Sequence, residues 1–411
     1  MRFSRGNEDG ELVEGPRVKH KEDKMRRLAL VSLLASSTWT IACGDDSGST
    51  PPPPPVDSGA PPADAAPAVS PFVPAAIDNA IEQLVAAVAA KGLTSSQKPA
   101  IAILLKELNP FWAPVATGAN RMSARLVIGS VVEAPLISDP ANTTEEQAAV
   151  LENAYVQNYL TTNLYKGMAY APHSASADTV NYLNTFIAQC GPVVTIDSDV
   201  ANSARSYLIA TANYQAGQTA GNKLAEVMTP GDQVVVFGTT QAGWVSGIER
   251  AQGAEDALAA KGLVVMPRVS PVWDTAQDTA ALVAVLQDPA SNIKGMVCMY
   301  SNSSNCAAAV QQTGKTGLIK IVGFDMTPET KAFFDQGYFY AIAVQRQYYM
   351  GQLGILVPYA INVLGAAQTA AILQPTLAPG KVDFIDTGID LITTANYNDY
   401  MTFLSNLGIN A

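Results

Sequence analysis

Histidine is almost missing from this chain, since only His20 and His173 occur among its 411 residues. Two histidines are too few to favour a zinc site with imidazole ligands, and they give little support for a Ser-His-Asp triad. Cysteine is also scarce, because four cysteines in a chain of this length do not make a disulfide scaffold. The 25 Lys and Arg are outnumbered by 36 Asp and Glu, which argues against nucleic acid as a partner because such binding needs clustered positive charge.

The N-terminal part of the sequence has the pattern of an export signal. Residues 1–24 are polar and charged, and we interpret them as a disordered upstream extension, with translation starting at Met25. Arg26 and Arg27 then precede an apolar run over residues 28–42. This run is too short to favour a permanent transmembrane helix.

The apolar run ends in Thr40-Ile41-Ala42-Cys43, which resembles the lipobox of bacterial lipoproteins, although Thr40 departs from the usual leucine. In such proteins the cysteine is lipidated and becomes the new N-terminus. Residues 25–43 are therefore predicted to be a lipoprotein signal peptide with Cys43 as the lipidated residue; the alternative is a soluble product with an incidental cysteine. Residues 44–75 are rich in Pro, Ala and Gly and predict an extended linker between the membrane and the folded part.

Apolar residues make up 48% of the chain and, after Lys98, occur in short runs that alternate with stretches of helical periodicity. This alternation predicts parallel sheets covered by helices on both faces, and the number of runs predicts two α/β lobes rather than one sheet. The runs are residues 100–105, 127–132, 167–170, 193–196, 233–237, 263–266, 296–299 and 319–324, with an edge segment at 339–344. Helical candidates between them include residues 145–160, 214–227, 245–260 and 275–286.

Polar and aromatic side chains recur just after these runs. In open α/β sheets ligands bind beyond the carboxyl ends of the strands, so these positions are candidates for function. The candidates are Asn109, Phe111, Trp112, Asp197, Arg250, Trp273, Ser301, Asn302, Asp325 and Gln345. Of the four tryptophans, Trp39 lies in the signal and the other three all follow such runs.

The chemistry of this set suits a sugar. Pyranose rings present C–H patches that pack on indole and phenyl faces. Sugar hydroxyls both donate and accept, so Asp, Asn, Gln and Arg can bind them in a two-pronged manner. Asp197 and Asp325 could in principle serve a glycosidase, but neutral hydrogen-bonding and aromatic residues accompany them, and a binding site needs only that. We predict no catalytic residue, metal ligand or cofactor.

At these residues the chain resembles the ribose/galactose-type periplasmic binding proteins, type I, over about residues 97–408. The matching segments are residues 109–112, 194–199, 213–217, 249–253, 321–325, 344–345 and 386–388, in the family's order and spacing. The resemblance implies two Rossmann-like lobes with parallel sheets, joined by a three-crossing hinge near Thr211, Gln345 and Asp386. Lobe 1 would cover residues 97–211 plus 346–386, and lobe 2 would cover residues 212–345 plus 387–411.

The resemblance also implies roles for the candidate residues. Asn109, Phe111 and Trp112 would line the first lobe, and Asp197 would bind hydroxyls. The sugar would be met from the second lobe and the hinge by Arg250, Trp273, Asp325, Gln345 and either Ser301 or Asn302. Ser198 stands where ribose-type members often have Arg, Leu105 replaces a small polar residue, and Ala171-Pro172 replaces a common Asn-Pro. These departures leave the identity of the sugar open.

Several of these residues also have a purely structural interpretation. Phe111 and Trp112 could anchor the first helix in the core, and Asp197 could cap the next turn. Arg250 and Asp325 could form an ion pair between the lobes without touching a ligand.

The remaining cysteines leave two alternatives. Cys298 and Cys306 flank a strand-to-helix turn, where they would be either a disulfide in an oxidising compartment or buried free thiols. Cys190 would then be single.

The sequence therefore predicts an exported, membrane-anchored, monomeric periplasmic lipoprotein that captures a small sugar and delivers it to an ABC importer through its permease. The alternative is a sensor that presents its closed form to a chemoreceptor or sensor kinase. A glycan-processing enzyme is disfavoured by the lack of histidine and of a nucleophile motif. A repressor core is disfavoured because a signal and a linker stand where DNA-binding helices would be.

Overall fold

The computed structural model describes residues 70–137, 143–241 and 244–409. The predicted upstream extension, the signal peptide with Cys43 and nearly all of the linker lie outside the described residues. The strands are β1 (Ala100–Leu104), β2 (Ser130–Glu133), β3 (Tyr165–Tyr170), β4 (Val193–Ile196), β5 (Tyr207–Ala210), β6 (Gln233–Phe237), β7 (Val264–Val265), β8 (Ile293–Cys298), β9 (Lys320–Phe324), β10 (Phe339–Gln345), β11 (Phe384–Asp386) and β12 (Ile389–Ile392). The helices are α1 (Ala75–Ala89), α2 (Ala113–Leu126), α3 (Glu145–Thr162), α4 (Ala177–Gln189), α5 (Asn213–Ala225), α6 (Val245–Ala260), α7 (Thr275–Gln287), α8 (Ser304–Gln312), α9 (Pro328–Asp335), α10 (Gln347–Leu364), α11 (Ala366–Leu373) and α12 (Tyr397–Asn406).

The strands form two six-stranded sheets with the same internal order. The first runs β11-β5-β4-β3-β1-β2 and the second runs β12-β10-β9-β8-β6-β7. All neighbours pair in parallel except β12, which is antiparallel to β10. The central strands are almost wholly buried, as in β4, because helices cover both faces of a parallel sheet. In each sheet the strand order reverses beside the first strand of the lobe, between β1 and β3 and between β6 and β8, which is where open α/β sheets bind ligands.

The chain crosses between the sheets three times. It leaves the first sheet after β5 and returns after β10, and the last crossing joins β11 to β12. The two-lobed α/β fold with a three-crossing hinge is therefore confirmed. We call the first sheet with its helices the first lobe, and the second sheet with its helices the second lobe. The exact residue boundaries of the two lobes stay predictions.

Close helix packing inside each lobe depends on glycine. A Cβ atom added to Gly217 of α5 would lie 1.8 Å from the carbonyl oxygen of Arg250, and one added to Gly253 of α6 would lie 2.0 Å from that of Tyr214. The backbones of α5 and α6 approach each other through these two positions because glycine has no Cβ to keep them apart. This approach brings Arg250 of α6 next to Asn213 at the start of α5.

One predicted strand begins later than the sequence pattern indicated. The apolar run starts at Val127, whereas β2 begins at Ser130. Val127 is the left-handed C-cap of α2, with φ of 53°, and two backbone N–H groups turn back onto the end of that helix, from Val127 to Ala124 and from Ile128 to Ser123. The apolar run therefore includes the end of helix α2 as well as the start of strand β2.

Two helices at the ends of the described chain were not predicted. Helix α1 lies between the predicted linker and the predicted start of the first lobe, and it buries Ile77, Ile81 and Leu84 against the helices of that lobe. Helix α12 follows the last strand and touches both lobes. Its Tyr397 ring lies 5.0 Å from Phe334 of α9, and the carbonyl of its last residue, Asn406, accepts a hydrogen bond from Arg121 of α2. None of the helices in the described residues has the length and apolarity needed to cross a membrane.

Candidate functional site

Three of the predicted site residues hold a backbone conformation that non-glycine residues seldom adopt. Asp197, Trp273 and Asp325 have φ of 63°, 65° and 60°. Among the described non-glycine residues only Val127 and Asn163 share this property, and both are helix C-caps. Left-handed backbone is costly for a non-glycine residue and tends to occur at functional sites. These three positions are therefore fixed by the fold rather than by local preference.

Arg250 lies buried beneath the second lobe's strand ends with each side-chain nitrogen bonded. Asn213 Oδ1 accepts from Arg250 Nε at 2.9 Å and from Nη2 at 2.6 Å, and the Met299 carbonyl accepts from Nη1 at 2.8 Å. Gln345 Oε1 accepts a further bond from Nη2 at 3.0 Å. Asn213 thus holds the guanidinium in place, although the sequence pattern did not mark it as a site residue.

Asp325 and Gln345 are buried together where β9 and β10 end. Gln345 Nε2 donates to Asp325 Oδ1 at 3.2 Å, so Gln345 links Arg250 to Asp325, and among the described ion pairs Arg250 and Asp325 are not directly joined. Burial raises the pKa of Asp325 to about 6, against the lowering effects of the Arg250 charge and the Gln345 hydrogen bond. A further raising effect comes from the charge of Asp197, which places the two carboxylates within electrostatic reach.

Lys106, absent from the sequence-based site, stands beside Asp197. Its Nζ donates to Ser198 Oγ at 2.8 Å and lies 4.0 Å from Asp197 Oδ2. Lys106 therefore supplies positive charge next to Ser198, the position where ribose-type members often carry Arg. The same Nζ lies 5.7 Å from the ring centroid of Trp244, so this side chain of the first lobe reaches the second.

Trp273 belongs to an aromatic cluster on the second lobe. Its ring stacks on Trp244 with centroids 4.7 Å apart and an interplanar angle of 29°, and Tyr300 lies 5.2 Å from it. Trp273 is still 41% exposed, so part of the indole remains open to a ligand. Buried Asp278 of α7 supports this loop, because its Oδ1 accepts from Val272 N at 2.7 Å.

The loop after β8 is held by polar contacts and by a disulfide. Asn302 Nδ2 lies 3.4 Å from Asp278 Oδ2, and Asn302 Oδ1 is a buried oxygen without a partner among the described residues. Ser301 is half-buried next to it. Of the two alternatives for Cys298 and Cys306, the structure contains the disulfide. This crosslink closes the loop, and Cys190 is free. A buried acceptor without a partner is costly unless a ligand supplies the donor.

The residues after β1 divide between positions that line a cavity and positions in the core. Asn109 Oδ1 accepts from the backbone N–H groups of Phe111 and Trp112 at 2.9 and 3.2 Å, which shapes the turn into α2. Trp112 is 3% exposed and belongs to the core, with Phe111 packed edge-on at 5.0 Å. Asn109 and Phe111 line a cavity of about 730 Å³ that Asp325 and Gln345 also line.

The comparisons with known proteins agree with this geometry. Residues 101–362 match the family described as periplasmic binding protein domain. The chain belongs to this family. As a periplasmic binding protein it is a solute-binding protein and not an enzyme, and the family implies a periplasmic location. The resemblance found in the sequence is thus confirmed.

Individual relatives are distant. The D-allose-binding periplasmic protein of Escherichia coli (strain K12) is 26% identical over 266 residues, which make up 62% of this chain and 81% of that protein. A solute-binding protein of an ABC transporter from Agrobacterium vitis, bound with α-D-tagatopyranose, has a TM-score of 0.62 at 19% identity and covers 76% of this chain and 100% of its own. A similar protein from Burkholderia graminis C4D1M, in complex with D-arabinose, has a TM-score of 0.61 at 22% identity and covers 75% of this chain and 99% of its own. At these identities the two structures are alike in fold.

Proposed function

We propose that this periplasmic binding protein is a receptor for a neutral sugar, which it clamps between its lobes. The observation that carries the proposal is the meeting of hydrogen-bonding side chains from both lobes and the hinge at strand ends, two of them carboxylates on left-handed backbone. Asp197 comes from the first lobe, Asp325 from the second and Gln345 from the hinge strand β10. Such a set matches a ligand whose hydroxyls point in several directions and each donate and accept.

The chemistry of each group fits that ligand. A carboxylate accepts from two hydroxyls, and charge-assisted bonds of this kind are stronger than neutral ones. Trp273 offers an indole face to the C–H patch of a pyranose ring. Asn302 Oδ1 offers an unpartnered acceptor. The sugars bound by the relatives, D-allose, D-arabinose and α-D-tagatopyranose, are all small and neutral and support the same class.

The proposal extends to cellular role. We infer that the receptor hands its sugar to an ABC importer and is held at the membrane by a lipid on Cys43. The relatives described as parts of ABC transporters support the first inference, and the lipobox-like sequence supports the second.

A sugar panel tests the proposed function. Thermal-shift screening should find at least one hexose or pentose that raises the melting temperature, because a ligand at 100 times its Kd adds about 2.7 kcal/mol to stability. Calorimetry with that sugar should then show that Asp197→Asn weakens binding. Asp232→Asn is the matched control, because Asp232 lies at the opposite, N-terminal end of β6. A panel without a stabilising sugar, or equal affinity in Asp197→Asn, would count against the proposal.

A further inference from the structure

The cavity of about 730 Å³ borders the proposed sugar site at Asp325 and Gln345, whereas Asp197, Trp273 and Asn302 do not line it. Asp325, Gln345 and Asn109 lie along one part of its wall, and helix α12 with the segment that follows it forms another. A cavity of this size lies within the roughly 300–1,000 Å³ typical of sites for drug-sized ligands, which are larger than a single pyranose ring. The cavity therefore has room next to the proposed sugar position.

The additional space has an apolar and aromatic wall. Phe403, Leu404, Leu407 and Ile409 line it from the C-terminal segment, and Tyr348 and Tyr349 line it from the start of α10. All six are buried or half-buried, so their positions are fixed by packing. Aromatic walls of this type favour flat apolar groups.

The charges bordering this space are already neutralised. Arg346 and Asp390 both line the cavity, and they form a two-pronged pair with Nη2–Oδ1 at 2.6 Å and Nε–Oδ2 at 3.0 Å. Arg346 Nη1 also donates to the Thr387 carbonyl at 3.2 Å. A charged substituent would gain little from groups that are already paired, whereas a neutral one would avoid desolvation cost.

The cavity wall formed by helix α12 is held in place by aromatic packing. Phe72, just before α1, packs on Tyr400 and Phe403 with ring centroids at 5.2 and 5.8 Å. Helix α12 lies beyond residues 101–362, the part that matches the family. The structure thus adds a preformed apolar surface, from outside the family match, to one side of the proposed sugar position.

We propose that this space is a subsite for an apolar ring attached to the sugar, so that the preferred substrates are aryl glycosides. This inference rests on the proposed sugar-binding function. The sugar part would contact Asp325, Gln345 and Asn109, and the aryl part would lie against Phe403, Leu407 and the tyrosines of α10.

The test compares each free sugar of the panel with its methyl and phenyl glycosides, in both anomers, by calorimetry on the chain from residue 44 onward, without the predicted signal peptide. One phenyl anomer should bind about tenfold or more tightly than the free sugar and its methyl glycoside. Burying the apolar surface of the ring should contribute more binding free energy than the 1.4 kcal/mol that corresponds to a tenfold change in affinity. Leu407→Gln should remove most of this gain and leave the affinity for free sugar unchanged. Thr117→Phe, which fills the space from α2, gives a second and independent variant. Leu318→Gln, a change at an exposed leucine elsewhere, is the control.

The outcomes separate the two proposals. If free sugars bind and no phenyl glycoside binds more tightly, the subsite is wrong while the receptor function stands. If the gain occurs but persists in both Leu407→Gln and Thr117→Phe, the aryl group lies elsewhere and the subsite is again wrong. If neither sugars nor glycosides bind, the receptor function itself is wrong, and the subsite falls with it.

Discussion

Gln345 donates a hydrogen bond to Asp325 at 3.2 Å, with both side chains buried where the second lobe meets the hinge. Because Gln345 also accepts from Arg250, a neutral amide separates the guanidinium from the carboxylate. The positive charge is therefore too indirect to offset burial, and the pKa of Asp325 is raised to about 6. This arrangement makes the proposed site sensitive to pH near neutrality.

The first prediction is a loss of sugar affinity in acid. Hydroxyl donors favour the ionised carboxylate, so affinity should be full above pH 6 and should fall as pH drops through about 6. Asp325→Asn should bind more weakly than the wild type at pH 7.5 and should show no such fall. Calorimetry between pH 5 and pH 8 measures both. A wild-type affinity that stays flat across this range would contradict the role of an ionised Asp325.

The same pKa has an opposite consequence for the stability of the ligand-free protein. The folded state holds the proton of Asp325 more tightly than the unfolded chain, so the stabilisation it gives is complete below the unfolded pKa and is lost as pH rises through about 6. Asp325→Asn should therefore be more stable than the wild type at pH 8, by up to roughly 2–3 kcal/mol. Near pH 4 the difference should be small. Urea unfolding at the two pH values measures it.

The second prediction concerns Lys106. Lys106→Met keeps the apolar stem but removes the hydrogen bond to Ser198 and the contact with Trp244, so sugar affinity should fall about tenfold if these are worth 1–2 kcal/mol together. If sugar closes the lobes it should also lower the radius of gyration, and this decrease should be smaller in Lys106→Met because the contact of Lys106 with Trp244 crosses between the lobes. Calorimetry and solution scattering measure these effects, with Lys381→Met as the exposed control. Equal affinity in the two variants would remove Lys106 from the site.

Much of the fold followed from local sequence patterns. Buried parallel strands are short apolar runs, and the periodicity between them set helix α6 at Val245–Ala260, the same bounds that the sequence predicted. Strand ends then indicated Asp197, Asp325 and Gln345, because the residue after a parallel strand lies on the ligand-binding edge. Helix α1 has Ile77, Ile81, Leu84 and Val88 at helical spacing, but the sequence pattern predicts a Pro-rich linker up to residue 75 and no element between residues 76 and 96.

The missed site residues depend on contacts between distant segments. Lys106 looks like a solvated charge after β1 until the second lobe brings Trp244 to within 5.7 Å of its Nζ. Asn213 precedes Arg250 by 37 positions and meets it only because glycines let α5 and α6 approach. Trp112 follows a strand as a ligand-facing residue would, yet as the N-cap of α2 its ring is buried in the core.

The third prediction concerns the disulfide under the Asn302 loop. Cys298→Ser with Cys306→Ser should lower the stability of the ligand-free protein by about 2–3 kcal/mol, because the crosslink no longer restricts the unfolded chain. Sugar affinity should also fall, since Ser301 and Asn302 lie inside the closed loop. Cys190→Ser, at the free cysteine, should change neither quantity. Unfolding curves and calorimetry of both variants decide this.

The fourth prediction concerns membrane attachment. Full-length protein expressed in a bacterium should incorporate labelled fatty acid and sediment with membranes, and Cys43→Ser should abolish both. A single acyl chain binds membranes only marginally, so the mature form should carry more than one. Wild-type protein that takes up no label would show that the lipobox-like sequence is not processed as one.

The last prediction separates two roles of Trp273, its ring and its backbone. Trp273→Ala and Trp273→Gly both remove the indole that stacks on Trp244, so both should lose most of the sugar-induced change in tryptophan emission and much of the affinity. The two variants differ in the backbone, because φ of 65° is strained for alanine and not for glycine. The ligand-free glycine variant should therefore be more stable than the alanine variant by about 1 kcal/mol, measured by urea unfolding.

Equal stability would mean that the loop relaxes to an ordinary conformation once the ring is gone. In that case the indole, held by Trp244 and Tyr300, would be what maintains the left-handed turn. Affinity retained in both variants would instead exclude Trp273 as a sugar-stacking residue.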